Sequence, residues 1–236
     1  RDYLSLSGIG SPCDRKLWYK INQSQDSEPL RAEMLGTFFY GDLLEALVLS
    51  LAVAAGHKVE GMQDEVDVFG IIGHTDAIID GVMVDVKSAS KYGFTKFKNH
   101  NLREEDPYGY ISQLSSYLYA AQKDDRVKDK KNAAFLVVQK DMFKLCLDVY
   151  NFTEELNGKE KEIARAKSLV AGPIPSDRLP PVPQSKTSEN TQLSSTCGYC
   201  EFRKVCWPEA RTFLYSTGPV YLVDVVNEPR VTEWIE

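Results

Sequence analysis

The stretch from Arg31 to about Ala55, most apolar over Leu43–Ala55, predicts one long helix over about 31–55. Gly36 and Gly41 lower helix propensity inside it, and Gly56 supplies a stop signal. The pattern then changes to alternation, predicting strands at about His57–Glu60, Glu65–Phe69, Gly73–Ile79 and Val82–Ser88, with a tight turn at Asp80-Gly81. A polar, aromatic-rich stretch from Ala89 to Pro107 reads as a loop. Helical spacing returns over about Tyr108–Gln122. Two alternating runs, Ala133–Gln139 and Phe143–Tyr150, predict a hairpin, and a charged amphipathic helix follows over about Thr153–Ala171. The Pro- and Ser-rich stretch to Ser195 reads as a linker, and the tail holds one strand-like run at Val220–Val226. At the other end, a loop carrying Cys13 precedes a short helix from Arg15 to Ile21. Strands interspersed with helices make the fold class α/β.

With 236 residues and 43% hydrophobic content the chain can bury one sizeable core, so a single domain is expected: a core over about 31–171, with appended segments and a tail from 207 to 236. The apolar stretch Leu43–Ala55 is too short to span a bilayer and contains Glu45, so no membrane role is expected. Five cysteines are an odd number and no secretory signal is visible, which points to a reducing, cytoplasmic setting. The net charge of −6 argues against a generally basic nucleic-acid binder, but carboxylates of a metal site count as negative until the metal binds.

Candidate chemistry concentrates on the two strands joined at Asp80-Gly81. In Val84-Asp85-Val86-Lys87-Ser88, residues two apart share a strand face, so Asp85 and Lys87 project side by side. The turn returns Asp76, from Gly73-His74-Thr75-Asp76, to the neighbouring strand. Two carboxylates with an ammonium beside them form a hard-oxygen site for Mg²⁺ or Mn²⁺, suited to metal-assisted attack of water on a phosphodiester. Glu45 adds a carboxylate within an apolar helix, where a metal ion or a buried Lys or Arg must compensate it. His74, two residues before Asp76, is expected on the same strand face as a proton or phosphate partner; His57 and His100 carry no predicted role. Gln113 and Tyr117, four apart, share one helix face.

In order, Gly41-Asp42-Leu43-Leu44-Glu45, Gly73-His74-Thr75-Asp76, Asp85-Val86-Lys87 and Gln113-Leu114-Ser115-Ser116-Tyr117 resemble the motifs of the PD-(D/E)xK nuclease superfamily, specifically its RecB-like branch. A departure is Glu45, where many members of that branch carry His. The resemblance implies a restriction-endonuclease-like core, a central mixed β-sheet flanked by helices. It implies a metal held by Asp76, Asp85, Glu45 and the Val86 carbonyl. Lys87 then orients or deprotonates the attacking water, and Gln113 and Tyr117 position the catalytic groups and the DNA strand.

Cys197, Cys200 and Cys206 form a C-x₂-C-x₅-C cluster, and Cys13 stands far upstream. Four thiolates hold either zinc or a [4Fe–4S] cluster, and disulfides are the remaining alternative. The order of one Cys before the core and three after it resembles the iron–sulfur staple of RecB-like enzymes such as the CRISPR-associated exonucleases and AddB. That resemblance favours the cluster over zinc, with Cys146 as the spare thiol. Arg15, Lys16, Arg203 and Lys204 flank the thiols, as a basic surface for phosphates or as solvated charge.

Lys91, Lys96, Lys98 and Arg103 interleave with Tyr92, Phe94 and Phe97 in the predicted loop, a combination that grips single strands by stacking and phosphate contact. The expected function is a Mg²⁺- or Mn²⁺-dependent DNA exonuclease. It would act on duplex ends or single-stranded DNA in recombination, repair, phage replication or CRISPR spacer processing, with a recombination or CRISPR-adaptation protein as a partner. The alternatives are a structure-specific endonuclease, a non-catalytic iron–sulfur DNA-binding scaffold and a zinc-stapled protein adaptor.

Overall fold

A computed structural model of the protein describes residues 3–30 and 32–235. Its helices are α1 (Asp14–Asn22), α2 (Ala32–Ala54), α3 (Lys91–Lys98), α4 (Tyr110–Ala120), α5 (Thr153–Ala171), α6 (Ser195–Gly198) and α7 (Arg203–Cys206). Its strands are β1 (Val59–Glu60), β2 (Glu65–Val68), β3 (Ile71–His74), β4 (Ala77–Ile79), β5 (Val82–Ala89), β6 (Asn132–Gln139), β7 (Leu145–Asn151), β8 (Val182–Pro183), β9 (Thr191–Gln192), β10 (Arg211–Tyr215), β11 (Gly218–Asp224) and β12 (Glu233–Trp234). The expected start of the long helix, Arg31, lies outside the described residues.

The described residues pack as two compact units. The first unit, within 4–12 and 31–168, is built on a mixed five-stranded sheet in the order β1-β4-β5-β6-β7. Only the β5–β6 pair is parallel, joined by a crossover through α3 and α4. Leu44, Val48 and Leu49 of α2 pack on one sheet face, against Val84, Val86, Ala134 and Val138. The opposite face carries Phe135 and Tyr150, which meet Phe97 of α3 and Tyr110 of α4.

Three local expectations are corrected here. Gly73–Ile79 is not one strand: it breaks at Thr75-Asp76, and β3 pairs with β2 in a separate two-stranded sheet. Thr75 is drawn aside by bonds from its N–H to Asp64 O and from its hydroxyl to Gly61 O. The stretch Ala89–Pro107 is not all loop, because α3 forms within it. Ser90 caps α3 through Gly93 N, and Phe94 and Phe97, three apart, bury one helix face. Finally, the apolar stretch expected to be too short to span a bilayer is part of a longer helix, α2. By length and composition it is apolar enough to cross a membrane, yet only 17% of its apolar window is buried, and Leu43–Ala55 is only its second half.

The second unit, within 1–3, 13–30 and 169–236, holds α1, the thiol segment and a sheet in the order β12-β10-β11-β9-β8. The stretch after Cys206 is therefore a hairpin, β10–β11, with β12 added at its edge. Its core joins Tyr19, Phe202 and Trp207, with Tyr19 stacked on Phe202 at 5.5 Å.

Candidate active site

The hairpin β4–β5 sets the geometry. Asp80 and Gly81 both take left-handed backbone, with φ of 50° and 85°, the requirement of a two-residue turn matched to strand twist. A Cβ at Gly81 would also stand 2.7 Å from Lys128 Cγ, so glycine is needed twice over. The turn pairs Ala77 with Val84, and one further step in that register brings Asp76 opposite Asp85. Asp76 Oδ2 accepts from Val86 N at 2.7 Å, which fixes its carboxylate beside β5.

Asp85 is fully buried at the centre of the sheet, and its Oδ1 has no hydrogen-bond partner among the described residues. Lys87 Nζ stands 2.7 Å from Asp85 Oδ2, an ion pair by distance that lacks hydrogen-bond alignment. Burial and the charge of Asp85 push Asp76 up to about 8. Burial likewise raises Asp85, against the attraction of Lys87. Burial alone would lower Lys87, but Asp85 and Asp76 outweigh it and hold the ammonium above its ordinary range. Glu45, on α2, accepts from Gln63 Nε2 at 2.8 Å; burial raises it, and the charges of Asp85 and Asp42 add to that. All four groups named from the sequence thus share one electrostatic site.

Sequence reasoning missed Tyr110. The Lys87 ammonium lies 4.7 Å from the centre of its ring, a cation–π contact in a buried setting. The signal was present: Tyr110, Gln113 and Tyr117 recur at three and four residues on α4. Gln113 Nε2 donates to Tyr117 Oη at 3.1 Å, so the stripe is a connected pair. Tyr117 is buried against the first glycine of Gly73-His74-Thr75-Asp76, where a Cβ would come within 2.8 Å of its ring and 2.9 Å of Leu6 Cβ. The segment Leu4–Pro12 is itself part of this packing, with Leu6 N donating to Ile72 O. Beneath α4, Lys159 of α5 has no solvent exposure; it donates to Ser115 Oγ at 2.8 Å and pairs with Glu162 at 2.5 Å. No pattern in the sequence marks it, because a lysine in an amphipathic helix normally faces water.

Other predicted groups lie elsewhere. Because the strand breaks after it, His74 faces Glu65 across β2–β3, at 3.9 Å, and does not share the strand face of the active site. His57 pairs with Asp80 and His100 with buried Asp148, each at 2.6 Å. In and after α3, Lys96 pairs with Glu105 at 2.7 Å and Arg103 with Glu155 at 3.0 Å, whereas Lys91 and Lys98 are exposed.

In the second unit, Cys13, Cys197, Cys200 and Cys206 line one small cavity with Lys16 and Trp207. Arg15 Nε donates to Cys206 Sγ at 3.3 Å and Lys16 N to Cys13 Sγ at 3.4 Å. Cys146 is in the first unit, on β7. The flanking bases are internally paired: Lys16 with Glu201, Arg203 and Lys204 with Glu28.

Among the described residues, no three His, Cys, Asp or Glu side chains are spaced as a formed metal site. The donors nonetheless suit two groups. The unpartnered, buried Oδ1 of Asp85, next to Asp76 and Glu45, matches a hard divalent cation. Four thiols around one cavity, with N–H donors on two of the sulfurs, match a thiolate-ligated centre.

No curated protein matches the sequence. Among solved structures, the chain is similar to the protein SSO0001, at 15% identity and a TM-score of 0.49 over 87% of this chain and 86% of that one. It is also similar to a phage-related exonuclease from Haemophilus somnus 129PT, at 17% identity and a TM-score of 0.43 over 56% and 70%. A third is the alkaline exonuclease LHK-Exo from Laribacter hongkongensis, at 11% identity and a TM-score of 0.43 over 69% and 89%. The sequence profile of the PD-(D/E)XK nuclease superfamily matches residues 15–207, a span that takes in Glu45, Asp76, Asp85 and Lys87, and the chain belongs to that superfamily.

Proposed function

We propose that this chain is a Mg²⁺- or Mn²⁺-dependent deoxyribonuclease, an exonuclease hydrolysing phosphodiester bonds at DNA ends or single-stranded flaps. One observation carries the reading: a fully buried carboxylate, Asp85, paired with Lys87 through Oδ2 and left without a partner on Oδ1, beside a second acid. Such a group is costly unless a cation completes it. Asp76, Asp85 and Glu45, with the Val86 carbonyl, would hold the divalent ion. When bound, that ion polarises the phosphate and lowers the pKa of water for attack. Lys87, held charged by Asp85 and Asp76, suits orienting water and stabilising charge on the phosphate oxygens. Tyr110 backs the ammonium, and the Gln113–Tyr117 pair orders the helix face beside it. Lys91 and Lys98, exposed on α3, are available to phosphates.

The same proposal assigns a [4Fe–4S] cluster to Cys13, Cys197, Cys200 and Cys206, with zinc as the alternative. When bound, it would couple metal–thiolate bonds to the folding of the second unit.

The test is cleavage of end-labelled single- and double-stranded DNA with Mg²⁺, Mn²⁺ or EDTA, beside Asp85→Asn. Metal-dependent digestion from the ends, absent in the variant, is expected. Metal-independent cleavage, or wild-type cleavage by the variant, refutes the site. DNA binding by a folded protein without cleavage favours a scaffold.

A further inference from the structure

A helix that is apolar on all sides is normally buried, yet α2 is not. Leu44, Val48 and Leu49 reach the sheet. On the other side Leu35, Phe39, Leu43, Leu47 and Leu51 recur every four residues and are each 43–64% exposed. That spacing is one ridge of a helix surface, the kind that interdigitates with a second helix.

The ridge continues onto the sheet. The Tyr40 hydroxyl donates to Lys140 O, so the N-terminal half of α2 reaches the turn between β6 and β7. In the β6–β7 register Leu145, Leu147 and Val149 stand opposite Val138, Leu136 and Ala134. They therefore share the sheet face that α2 packs on, and all three are exposed. Moreover, β7 ends the sheet, so its outer edge has no neighbouring strand. An exposed, apolar edge strand is a surface that proteins normally cover.

We propose that this face, the α2 ridge together with β7, is the self-association surface of the protein, and that its occupant is a second copy of the same chain. Size supports this. Eight side chains, each about half exposed, amount to roughly 700–800 Å² of apolar surface, close to the ~800 Å² per partner of a stable interface. Composition supports it too. An apolar ridge is complementary to itself across a two-fold axis, and the charged residues of α2 are Glu33, Asp42 and Glu45, with no lysine or arginine. A helix lying on an anionic lipid surface uses basic residues on its polar face, and α2 has none to offer. Glu45 also keeps α2 at a site that, on the function proposed above, must admit a polyanionic strand, which a bilayer would exclude.

Sedimentation velocity over a ~100-fold concentration range tests the proposal by mass action, using wild type and Leu47→Glu/Leu147→Glu. The wild type should reach twice the chain mass of 26.6 kDa. Burying acids in the apolar interface should weaken association at least ~100-fold, leaving a monomer with unchanged far-UV circular dichroism. Hydrogen exchange provides a readout without substitution: protection of α2 and β7 amides should rise with wild-type concentration. A wild-type monomer throughout overturns the proposal. So does a dimer that persists in the folded variant, or exchange in α2 and β7 that ignores concentration. Flotation of the wild type, but not the variant, with phosphatidylcholine vesicles would assign the face to lipid and overturn it as well.

Discussion

The paired acids make the apoprotein's stability depend on pH in an unusual direction, and Asp76→Asn isolates the effect. Burial and Asp85 raise Asp76 from an ordinary 3.8 to about 8 in the folded chain. Between those values the folded state holds a proton that the unfolded state has released. Stability from this group is therefore complete below about pH 4 and is lost as pH rises towards 8. One proton corresponds to a slope of ~1.4 kcal/mol per pH unit. Asparagine keeps an oxygen to accept from Val86 N but cannot titrate. Urea unfolding in EDTA at pH 5.5, 6.5 and 7.5 should thus show the wild type losing up to ~1.4 kcal/mol per pH unit relative to Asp76→Asn. Ligands for a cation must be deprotonated, so Mn²⁺ should restore wild-type stability at pH 7.5 far more than that of the variant. If the two proteins follow parallel pH curves in EDTA, burial and Asp85 do not raise Asp76, and the electrostatic description of the site is wrong.

Other expectations address the supports of the site. Lys159→Met removes the ammonium from Ser115 Oγ and Glu162, each of which keeps a bond to Ser112, so urea unfolding should show a loss of ~1–3 kcal/mol. Adding Glu162→Leu should recover part of that loss, and strict additivity would mean the pair is not coupled. Tyr110→Leu removes the ring behind Lys87 and its packing on Phe97 and Phe135; cleavage by the folded variant should slow ~10-fold, a cation–π contribution of ~1–2 kcal/mol, and an unchanged rate removes Tyr110 from the site. Anaerobically purified protein should absorb near ~400 nm, and Cys200→Ser should lose that band while Cys146→Ser keeps it. A colourless wild type that carries zinc would decide for the alternative metal.

Much of the active-site constellation was legible because strand geometry is short-range. Asp-x-Lys in an alternating run needs only a period of two to place both groups together, and Asp80-Gly81 dictates the turn that returns Asp76. The Gln113–Tyr117 pair follows as directly from helix spacing. The Thr75-Asp76 break was not legible, because it depends on Thr75 bonding to Gly61 and Asp64, residues outside its own strand. The aromatic spacing that builds α3 was present, but a stretch dense in polar residues hid it.

What the sequence determined by itself is therefore the local chemistry: which residues face the same way, where the chain turns, and which acids, lysine and thiols are available. Only the tertiary structure decided how each group behaves. It buries Asp85 with Oδ1 unpartnered, sets Lys87 over Tyr110 and locks α4 on Lys159. It also leaves the ridge of α2 uncovered. Burial and pairing depend on residues far apart in the chain, and periodicity carries no information about those contacts.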